Sequence, residues 1–440
     1  MQRRQFLLGS AAAALAAPPP QSASPNDRIQ IATIGLGNRG AYDTRQALKI
    51  PGVQLVAGSD LYSGRRERAR ELYGKDLFVS ADYHEVLARR DVDAVIVTTP
   101  DHWHAQASID SMLAGKDVYC EKPMVHSIAE GHEVIATHRK SQRIMEVGSQ
   151  RVSSVMYSKA RQLIQDGAIG HLNLIEAWWD RPGDNDEAAF RPSIAPDASP
   201  STIDWDRFVS NTHNRPFDPK RFFWWHNYRD YGTGIPGDLF VHLFSGVNFV
   251  LQSNGPERVV STGGTRFWKD GREIPDIMLA LCDYPAAEHH PAFNLSLRVN
   301  FERGAEENSG FHFVGEEGVL SIEDDLVRLT RYRRRTEPGY AIDTFPVKLQ
   351  AEFLSEYRKK YPPRGSAPVE IGGTEEFAAP PGYSDHLDHL RNFFQSVRSR
   401  QPLVEDPLFG LRAAGPALLA NESLYEQKIC RWDPQAAKQV

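Results

Sequence analysis

The chain has 440 residues, of which 41% are hydrophobic and 25% charged, and its formal net charge is −6. This composition is typical of a globular protein, and the length is enough for two domains, because single hydrophobic cores stop growing at roughly 250–300 residues. The acidic balance argues against nucleic acid or an anionic membrane surface as the main partner, and we predict that no nucleic acid is bound.

The N-terminus resembles a twin-arginine export signal. Arg3-Arg4 precede an apolar run, Phe6–Ala17, whose 12 residues are fewer than the roughly 20 needed to span a bilayer. A Pro-rich linker completes residues 1–27. The pattern predicts a partner in the twin-arginine export machinery and a location in the periplasm or elsewhere outside the cytoplasm. The alternatives are an uncleaved anchor and a chance Arg-Arg pair.

Cysteine usage fits folding in a reducing compartment before export. The chain has three cysteines, an odd number, and Cys120, Cys282 and Cys430 are widely spaced. Such an arrangement gives no disulfide framework. Cys120 lies beside a motif described below, and its thiol is expected to be buried and inert.

Residues 28–150 alternate between strand-like and helical segments, which predicts a parallel sheet with helices on both faces, a Rossmann dinucleotide-binding domain. The predicted strands are Ile29–Ile34, Val53–Ala57, Ala94–Thr98, Asp117–Cys120 and Ile144–Val147. The predicted helices include Arg65–Tyr73, Ala105–Ala114 and Ile128–Arg139.

Residues 151–440 have a different texture, which predicts an α/β substrate-binding and oligomerisation domain with a large, mostly antiparallel open sheet. A helix, Ser158–Gln165, and a strand, His171–Trp179, precede a loop-rich aromatic segment that ends near Gly237. Closely spaced strands are predicted at Arg258–Trp268, Ile277–Tyr284, Phe293–Phe301, His312–Val314, Val319–Ile322 and Leu326–Tyr332. Residues 334–383 are expected to form a surface excursion before two closing helices, Tyr383–Arg400 and Leu408–Gln427.

A Gly-x-Gly-x-x-Gly motif follows the first predicted strand. Gly35 permits the tight turn, Gly37 lets the backbone approach a pyrophosphate, and Gly40 allows close helix–strand packing. The phosphate charge would meet the N-terminus of the following helix, to which Asn38 and Arg39 belong. Asp60 follows the second strand and is suited to the adenosine ribose hydroxyls, which favours NAD. The neighbouring Arg65 and Arg66 keep NADP as the alternative.

Two further segments fall beyond the carboxyl ends of predicted strands, where this architecture binds its ligand. The first contributes Thr99, Pro100, His102 and His104 to the predicted cofactor site, and the second contributes Glu121 and Lys122 in the motif Glu-Lys-Pro. Together with the glycine motif, these segments resemble the Gfo/Idh/MocA family of oxidoreductases. The resemblance implies that Lys122 contacts substrate and nicotinamide ribose. The chain has Asp101 where the family pattern often has Asn.

The resemblance also implies a second catalytic element, an Asp and a His four residues apart on one helix. Asp238 and His242 supply it here, and a spacing of four places both side chains on one helical face. The alternative is a satisfied core histidine with a capping aspartate. Asp385 and His389 share the spacing but lie outside the family motif, and we expect them on a solvated face.

These residues suit the oxidation of an alcohol. His242 is expected to act as the base because histidine titrates near neutrality, Lys122 to share the proton relay, and Asp238 to orient the imidazole or bind a hydroxyl. The same three residues are assigned to substrate binding, together with Gln150, Trp225 and Tyr228. The aromatic members suit stacking on a sugar, although core or subunit-interface packing is an alternative.

The sequence therefore predicts an exported oxidoreductase that binds NAD(P) tightly and acts on a hydroxyl of a sugar, polyol or glycoside. Two alternatives stay open, namely an NAD-dependent glycosidase that oxidises C3 transiently and a non-catalytic periplasmic protein that binds sugar or cofactor. No histidine cluster has recognised zinc spacing, so no metal is expected. The resemblance implies a homo-oligomer, either a dimer or a tetramer.

Overall fold

The computed structural model describes residues 28–182, 190–302, 304, 306–323, 325–332, 341–362 and 373–440. The predicted export signal, with Arg3 and Arg4, lies outside these residues. Within the described part of the chain, no helix is both long and apolar enough to cross a membrane.

The N-terminal part of the chain, residues 28–150, forms a six-stranded parallel sheet in the order β3-β2-β1-β4-β5-β6. Its strands are β1 (Ile29–Ile34), β2 (Val53–Ser59), β3 (Phe78–Ser80), β4 (Ala94–Val97), β5 (Asp117–Glu121) and β6 (Met145–Gly148). Its helices are α1 (Asn38–Ala47), α2 (Ser63–Tyr73), α3 (Tyr83–Leu87), α4 (Asp101–Leu113) and α5 (Ile128–Ser141). The predicted Rossmann sheet is confirmed, and the ends of its five predicted strands agree to within two residues. The order reverses between β1 and β4, which opens a crevice at the carboxyl ends of these strands.

The C-terminal part of the chain, residues 151–440, contributes a ten-stranded sheet in the order β14-β13-β12-β11-β7-β10-β9-β8-β15-β16. Its first strands are β7 (Leu172–Asp180), β8 (Arg258–Gly264), β9 (Ile277–Tyr284), β10 (Phe293–Asn300) and β11 (Asn308–Gly315). The others are β12 (Gly318–Glu323), β13 (Leu326–Arg331), β14 (Thr374–Ala378), β15 (Cys430–Asp433) and β16 (Lys438–Gln439). Strands β7 and β10 pair in parallel, and the other neighbouring pairs are antiparallel. The expectation of a large, mostly antiparallel sheet is confirmed.

Some helices of the C-terminal part contact this sheet, and some contact the Rossmann sheet and its helices. The helices of the C-terminal part are α6 (Val155–Gln165), α7 (Trp205–Phe208), α8 (Pro219–Phe223), α9 (Val241–Leu251), α10 (Val347–Lys360), α11 (Asp385–Ser399) and α12 (Pro407–Glu426). Helix α12 contacts β8 and α9 of the C-terminal part as well as α5 of the N-terminal part. One hydrophobic cluster accordingly contains buried side chains of both sheets, such as Val97 and Leu295. The shared core holds the N-terminal and C-terminal parts together.

The segment 334–383 differs from the expected surface excursion at one point. Helix α10 buries none of its residues and does lie on the surface. Strand β14, however, extends the sheet by pairing with β13, and Glu376 and Glu375 form cross-strand ion pairs with Arg328 and Arg331. Such pairs stabilise an edge strand that has few apolar side chains.

The expectation of a solvated face for the Asp385 and His389 pair is wrong for His389. Its side chain is fully buried because it shares the face of α11 that packs against the Rossmann sheet through Leu390 and Phe393. The imidazole Nε2 donates to the Val147 carbonyl at 3.0 Å, and Nδ1 accepts from the Ser153 hydroxyl at 2.8 Å. Burial lowers the pKa of His389 to about 4, so the imidazole is neutral.

Candidate active site

A cleft of about 1030 Å³ runs along the carboxyl ends of the parallel strands, and side chains of the C-terminal part also line it. Its lining contains most of the residues predicted for the cofactor: Gly35, Gly37, Asn38, Arg39, Asp60, Thr99, Pro100, His104, Glu121 and Lys122. It also contains predicted substrate residues, namely Gln150, Trp225, Asp238 and His242. The fold therefore brings together segments that are more than 100 residues apart in sequence.

The glycine turn is held by close backbone contacts that leave no room for larger residues at two of its three glycines. Gly35 has φ of +95°, and a Cβ there would lie 2.5 Å from the Thr98 carbonyl oxygen. A Cβ on Gly40 would lie 1.9 Å from the Gly35 oxygen, so Gly40 serves helix–strand packing and does not itself line the cleft. A Cβ on Gly37 would project toward the Arg65 guanidinium at 3.5 Å. The first N–H groups of α1 have no intrahelical acceptors, and an anionic phosphate therefore fits here.

Asp60 is fixed at the end of β2 by hydrogen bonds to its carboxylate. Oδ2 accepts from the Leu36 amide at 2.8 Å, and Oδ1 accepts from the Tyr62 amide at 2.9 Å. Arg65 lies 3.4 Å from Oδ2, whereas Arg66 donates to the Asp60 carbonyl at 2.6 Å. The carboxylate therefore stands beside the glycine turn with its orientation determined by the backbone.

The segment after β4 divides between the cleft and the core. The His104 ring bridges the carbonyls of Thr99 and Pro123, each at 2.7 Å, and so connects the two cofactor segments. The structure corrects the prediction for His102, whose ring faces the Phe208 and Tyr231 carbonyls at 3.0 and 3.3 Å and does not line the cleft. Burial lowers the pKa of His102 to about 3, so this imidazole is a neutral element of the core.

Lys122 and Asp238 form an ion pair that crosses the cleft. Lys122 Nζ donates to Asp238 Oδ1 at 2.6 Å and to the Asp238 carbonyl oxygen at 2.8 Å. Arg181 Nη1 lies 3.4 Å from Oδ2 of the same carboxylate. Burial acts to raise the pKa of Asp238, but the positive charges of Lys122 and Arg181 outweigh it and hold that pKa well below its usual range. Asp238 is therefore ionised throughout the neutral range.

His242 lies one turn beyond Asp238, although not in one continuous α-helix. Residues Pro236–Phe240 form a single π-helical turn, and α9 begins at Val241. Both side chains nevertheless line the cleft. π-Helical turns are rare and are often found at functional sites.

The His242 imidazole is buried, neutral and not fully hydrogen-bonded. The residue is only 8% exposed, and its Nδ1 has no hydrogen-bond partner among the described residues. Its ring lies 5.2 Å from the Trp179 ring, centroid to centroid. Burial and the nearby charge of Lys122 lower the pKa of His242 well below its ordinary value. A neutral imidazole with an unused ring nitrogen is able to accept a proton.

Two of the other predicted substrate residues line the cleft, and the third does not. Gln150 Nε2 donates to Glu121 Oε1 at 2.5 Å, and the same oxygen accepts from Arg39 Nη2 at 2.7 Å. Trp225 lines the cleft and stacks on His226. Tyr228 was predicted wrongly as a substrate residue, because its ring is buried beneath the Arg221 guanidinium, 4.2 Å away.

Four residues of the site have no motif in the sequence: Arg151, Trp179, Arg181 and His226. His226 is sandwiched between the Trp225 ring at 3.5 Å and the Phe190 ring at 4.5 Å, and burial lowers its pKa to about 4. The position of Arg151 just after β6 would have been a usable signal, because ligands bind at the carboxyl ends of parallel strands. In the described part of the chain, no group of three or more His, Cys, Asp or Glu side chains could hold a metal ion.

The N-terminal part of the chain, about a quarter of its length, matches the model of a known family. Residues 29–149 match the model of the Gfo/Idh/MocA oxidoreductase family, described as having an NAD-binding Rossmann fold. Inositol 2-dehydrogenase of Salmonella paratyphi B is 30% identical over 144 residues. This alignment covers 32% of the chain and 43% of the relative, so the chain matches less than half the length of that relative.

Two solved structures share the fold over nearly the whole chain. Levoglucosan dehydrogenase in complex with NADH has a TM-score of 0.65 at 14% identity, with coverage of 94% of this chain and 100% of the other. Aldose-aldose oxidoreductase from Caulobacter crescentus, complexed with glycerol, has a TM-score of 0.63 at 16% identity, with coverage of 92% and 99%. At these identities the likeness establishes the fold alone.

Proposed function

We propose that this protein is an NAD(P)-dependent oxidoreductase that acts on a hydroxyl of a sugar, polyol or glycoside. The observation that carries this proposal is the meeting of Lys122, Asp238 and a neutral, buried His242 in the cleft that contains the glycine turn. The NAD-binding family match of residues 29–149 supports the cofactor, and the inositol dehydrogenase relative supports a polyhydroxylated substrate.

Each of the three side chains has a separate role in the oxidation of an alcohol. The bound nicotinamide supplies the hydride acceptor or donor. The His242 imidazole takes the hydroxyl proton, and its lowered pKa keeps it neutral for that purpose. The Lys122 ammonium donates a hydrogen bond to the substrate oxygen and stabilises the charge that develops there. Asp238 holds Lys122 in position through the 2.6 Å contact.

We propose that NAD is preferred over NADP. A 2′-phosphate on the adenosine ribose would face the Asp60 carboxylate, whose two oxygens are fixed by backbone amides. The two neighbouring arginines are already engaged, Arg65 with that carboxylate and Arg66 with the Asp60 carbonyl. The expected measurement is an affinity for NAD at least about tenfold higher than for NADP, equivalent to about 1.4 kcal/mol.

We propose that the protein is exported with its cofactor already bound. Arg3-Arg4 and the apolar run after them support export by the twin-arginine machinery, which would carry the folded holoprotein. Free NAD is not expected outside the cytoplasm, so the cofactor would be held tightly and recycled by coupled oxidation and reduction. Replacement of Arg3 and Arg4 by Lys should leave the protein in the cytoplasmic fraction, and unchanged export would contradict this route.

We propose that the uncovered face of the ten-stranded sheet forms a homo-oligomer contact. Outward side chains there include Val260, Leu279 and Leu281, which are 37%, 42% and 60% exposed. Apolar groups clustered on a sheet face in this way are typical of subunit interfaces. Leu281→Glu should convert the dimer or tetramer into a smaller species in analytical ultracentrifugation. A wild-type monomer would exclude the proposal.

Purified, natively expressed protein distinguishes the candidate functions. Appearance of reduced-nicotinamide absorbance when sugars or polyols are added supports the oxidoreductase, and His242→Gln should remove that signal without removing NAD binding. Release of aglycone from a chromogenic glycoside, with no net change in the cofactor, would instead identify the glycosidase. Sugar binding with neither reaction would identify a binding protein and overturn the proposal.

A further inference from the structure

Arg151 is a cationic side chain of the cleft that has no anionic partner. It lies in the short 3-10 helix Gln150–Ser153, directly after β6, and its side chain lines the cleft. Its guanidinium carbon lies 5.1 Å from the centroid of the Trp179 ring. Among the residues that the structure describes, no carboxylate lies within ion-pair distance of this guanidinium. A partly buried, unpaired charge is costly unless a ligand supplies the opposite charge.

The other arginines at this end of the cleft are paired within the protein. Arg39 contacts Glu121 at 2.7 Å and Asp43 at 3.1 Å. Arg181 contacts Asp238 at 3.4 Å and Glu307 at 3.6 Å. Their charges are therefore neutralised before any substrate arrives, whereas the charge of Arg151 is not.

Asp385, a carboxylate outside the cleft lining, does not neutralise Arg151. Asp385 lies close enough for the positive charge of Arg151 to help lower the pKa of its carboxyl. Its Oδ1 nevertheless contacts His386 Nδ1 at 2.9 Å, and it makes no ion pair with Arg151. The guanidinium remains free to bind a group in the cleft.

Arg151 is within reach of a substrate whose hydroxyl is at His242. Both the guanidinium and the imidazole lie against the same Trp179 ring, at 5.1 and 5.2 Å from its centroid. Their separation cannot exceed the sum of these distances, about 10 Å. A hexose-sized molecule spans that interval, so one end of it can contact Arg151 while a carbon at the other end reacts.

We propose that Arg151 binds an anionic group, a carboxylate or a phosphate, that is carried by the sugar or polyol substrate itself. This inference rests on the proposed function and adds the substrate class to it, a sugar acid or a sugar phosphate. The guanidinium presents a planar set of donors that matches either anion. Its contact with the Trp179 ring, 5.1 Å from the centroid, restricts where the guanidinium can lie.

Binding of the anion would also favour the chemistry at His242. The positive charge of Arg151 is one of the influences that lower the pKa of His242, together with burial, Lys122 and Arg39, while Asp238 acts in the opposite direction. An anion on Arg151 would cancel part of this effect and make the imidazole a stronger base. The anionic substrate should therefore have a higher kcat as well as a lower KM than a neutral one.

The test compares neutral and anionic sugars on the NAD-loaded protein. The probes are glucose and myo-inositol as neutral compounds, and gluconate, glucuronate and glucose 6-phosphate as anionic ones. We expect kcat/KM to favour an anionic probe by roughly 10- to 100-fold, the range for a charge-assisted hydrogen bond. Arg151→Gln should remove that preference, so that anionic and neutral probes are turned over with similar kcat/KM, while Arg151→Lys should retain part of it.

Arg161→Gln is the matched control. Arg161 also lies over an aromatic ring, that of Phe249 at 5.2 Å, and it is not part of the cleft lining. Its replacement should change neither class of substrate. Quenching of tryptophan fluorescence on addition of each probe gives a second readout that needs no turnover, because Trp179 lies beneath the Arg151 guanidinium.

The outcomes separate this inference from the proposed function. Oxidation of neutral probes with no preference for the anions, or an equal loss for both classes in Arg151→Gln, would overturn the role of Arg151 alone. Failure of every probe to reduce the cofactor, with NAD still bound, would overturn the proposed function. In that case the fluorescence titration still tests the anion site. Binding of the anionic probes that is lost in Arg151→Gln supports the site, and no binding of these probes to the wild-type protein overturns it. The gluconate and phosphate arms identify which anion is recognised.

Discussion

The ion pair between Lys122 and Asp238 provides the sharpest test of the site's electrostatics. Asp238→Asn removes the negative charge and keeps the shape of the side chain. Lys122 then retains its hydrogen bond to the residue 238 carbonyl oxygen, at 2.8 Å in the wild-type protein, and an amide oxygen replaces the carboxylate oxygen at 2.6 Å. The loss of stability therefore reflects mainly the charge.

The expected loss lies between those of surface and fully buried pairs. The side chains of Lys122 and Asp238 are 13% and 15% exposed. Surface pairs contribute up to about 1 kcal/mol, whereas breaking a buried pair costs about 3–5 kcal/mol. With one hydrogen bond retained, we expect Asp238→Asn to lower the free energy of unfolding by about 2 kcal/mol at pH 7. This corresponds to a fall in Tm of roughly 2–4 °C for a cooperative unit of more than 250 residues.

The pH dependence of that loss follows from the lowered pKa of Asp238. A carboxyl whose pKa is depressed by folding contributes stability above its unfolded pKa, about 3.9, and loses it as the pH falls toward the folded value. The gap in Tm between wild type and Asp238→Asn should therefore be complete at pH 5 and above and should narrow below about pH 4.

Thermal unfolding of the cofactor-free proteins at several pH values measures this gap. Asp91→Asn is the control, because its ion pair with Arg89 is exposed, with side chains 41% and 30% accessible, and its loss should cost less than about 1 kcal/mol. A gap that does not change between pH 7 and pH 3.5, or that matches the control at pH 7, would refute the assigned electrostatics.

Three further expectations concern the base, the glycine turn and a thiol. His242→Ala should lower hydride transfer about 100-fold or more, and near-normal turnover would exclude His242 from the reaction. Because burial and the charge of Lys122 lower the pKa of His242, the wild-type rate should stay constant through neutral pH and decline only below the ordinary pKa of histidine, about 6.5. Gly40→Ala should abolish NAD binding in calorimetry, because its Cβ would lie 1.9 Å from the Gly35 oxygen. Gly115→Ala is the control: its φ is +80° but no atom lies within 4 Å of the new Cβ, so it should lower the free energy of unfolding by only about 1–2 kcal/mol and bind NAD normally. Burial raises the pKa of the Cys120 thiol to about 12, so thiol reagents should label it only after unfolding.

The sequence was sufficient for features that depend on local contacts. Only glycine fits at position 35 because a Cβ there would meet the Thr98 carbonyl oxygen, directly after β4, and this requirement leaves a glycine at a fixed place in the motif. Parallel strands buried on both faces read as continuous apolar runs, as in Ala94–Val97, which made the first sheet predictable.

Features that depend on distant contacts could not be predicted in the same way. His102 belongs to the same short motif as His104, yet it turns toward carbonyls 106 and 129 residues away and so leaves the cleft. Tyr228 likewise follows Trp225 closely but packs against Arg221. The aromatic segment that contains both has no regular periodicity, so the sequence carried no information on which rings would face the ligand.

Asp101, which stands where the resembled family pattern often has Asn, holds a loop in place. Its Oδ2 accepts hydrogen bonds from the Thr233 amide at 2.9 Å and from the Thr233 hydroxyl at 2.6 Å. The Thr233 carbonyl in turn accepts from Asn421 Nδ2 at 2.6 Å. Asp101 therefore anchors the loop that enters the π-helical turn of Asp238, and it acts on the substrate side of the cleft through that loop.

This anchoring role gives a clear expectation for two substitutions. Asp101→Asn retains an acceptor oxygen for both Thr233 donors and should keep kcat/KM within about threefold, whereas Asp101→Leu leaves two buried donors unpaired at about 1–3 kcal/mol each. Because the loop positions Asp238, Asp101→Leu should lower kcat/KM more than NAD affinity. Equal effects of the two substitutions, or a loss confined to NAD affinity, would mean that Asp101 acts on the cofactor directly and not through Thr233.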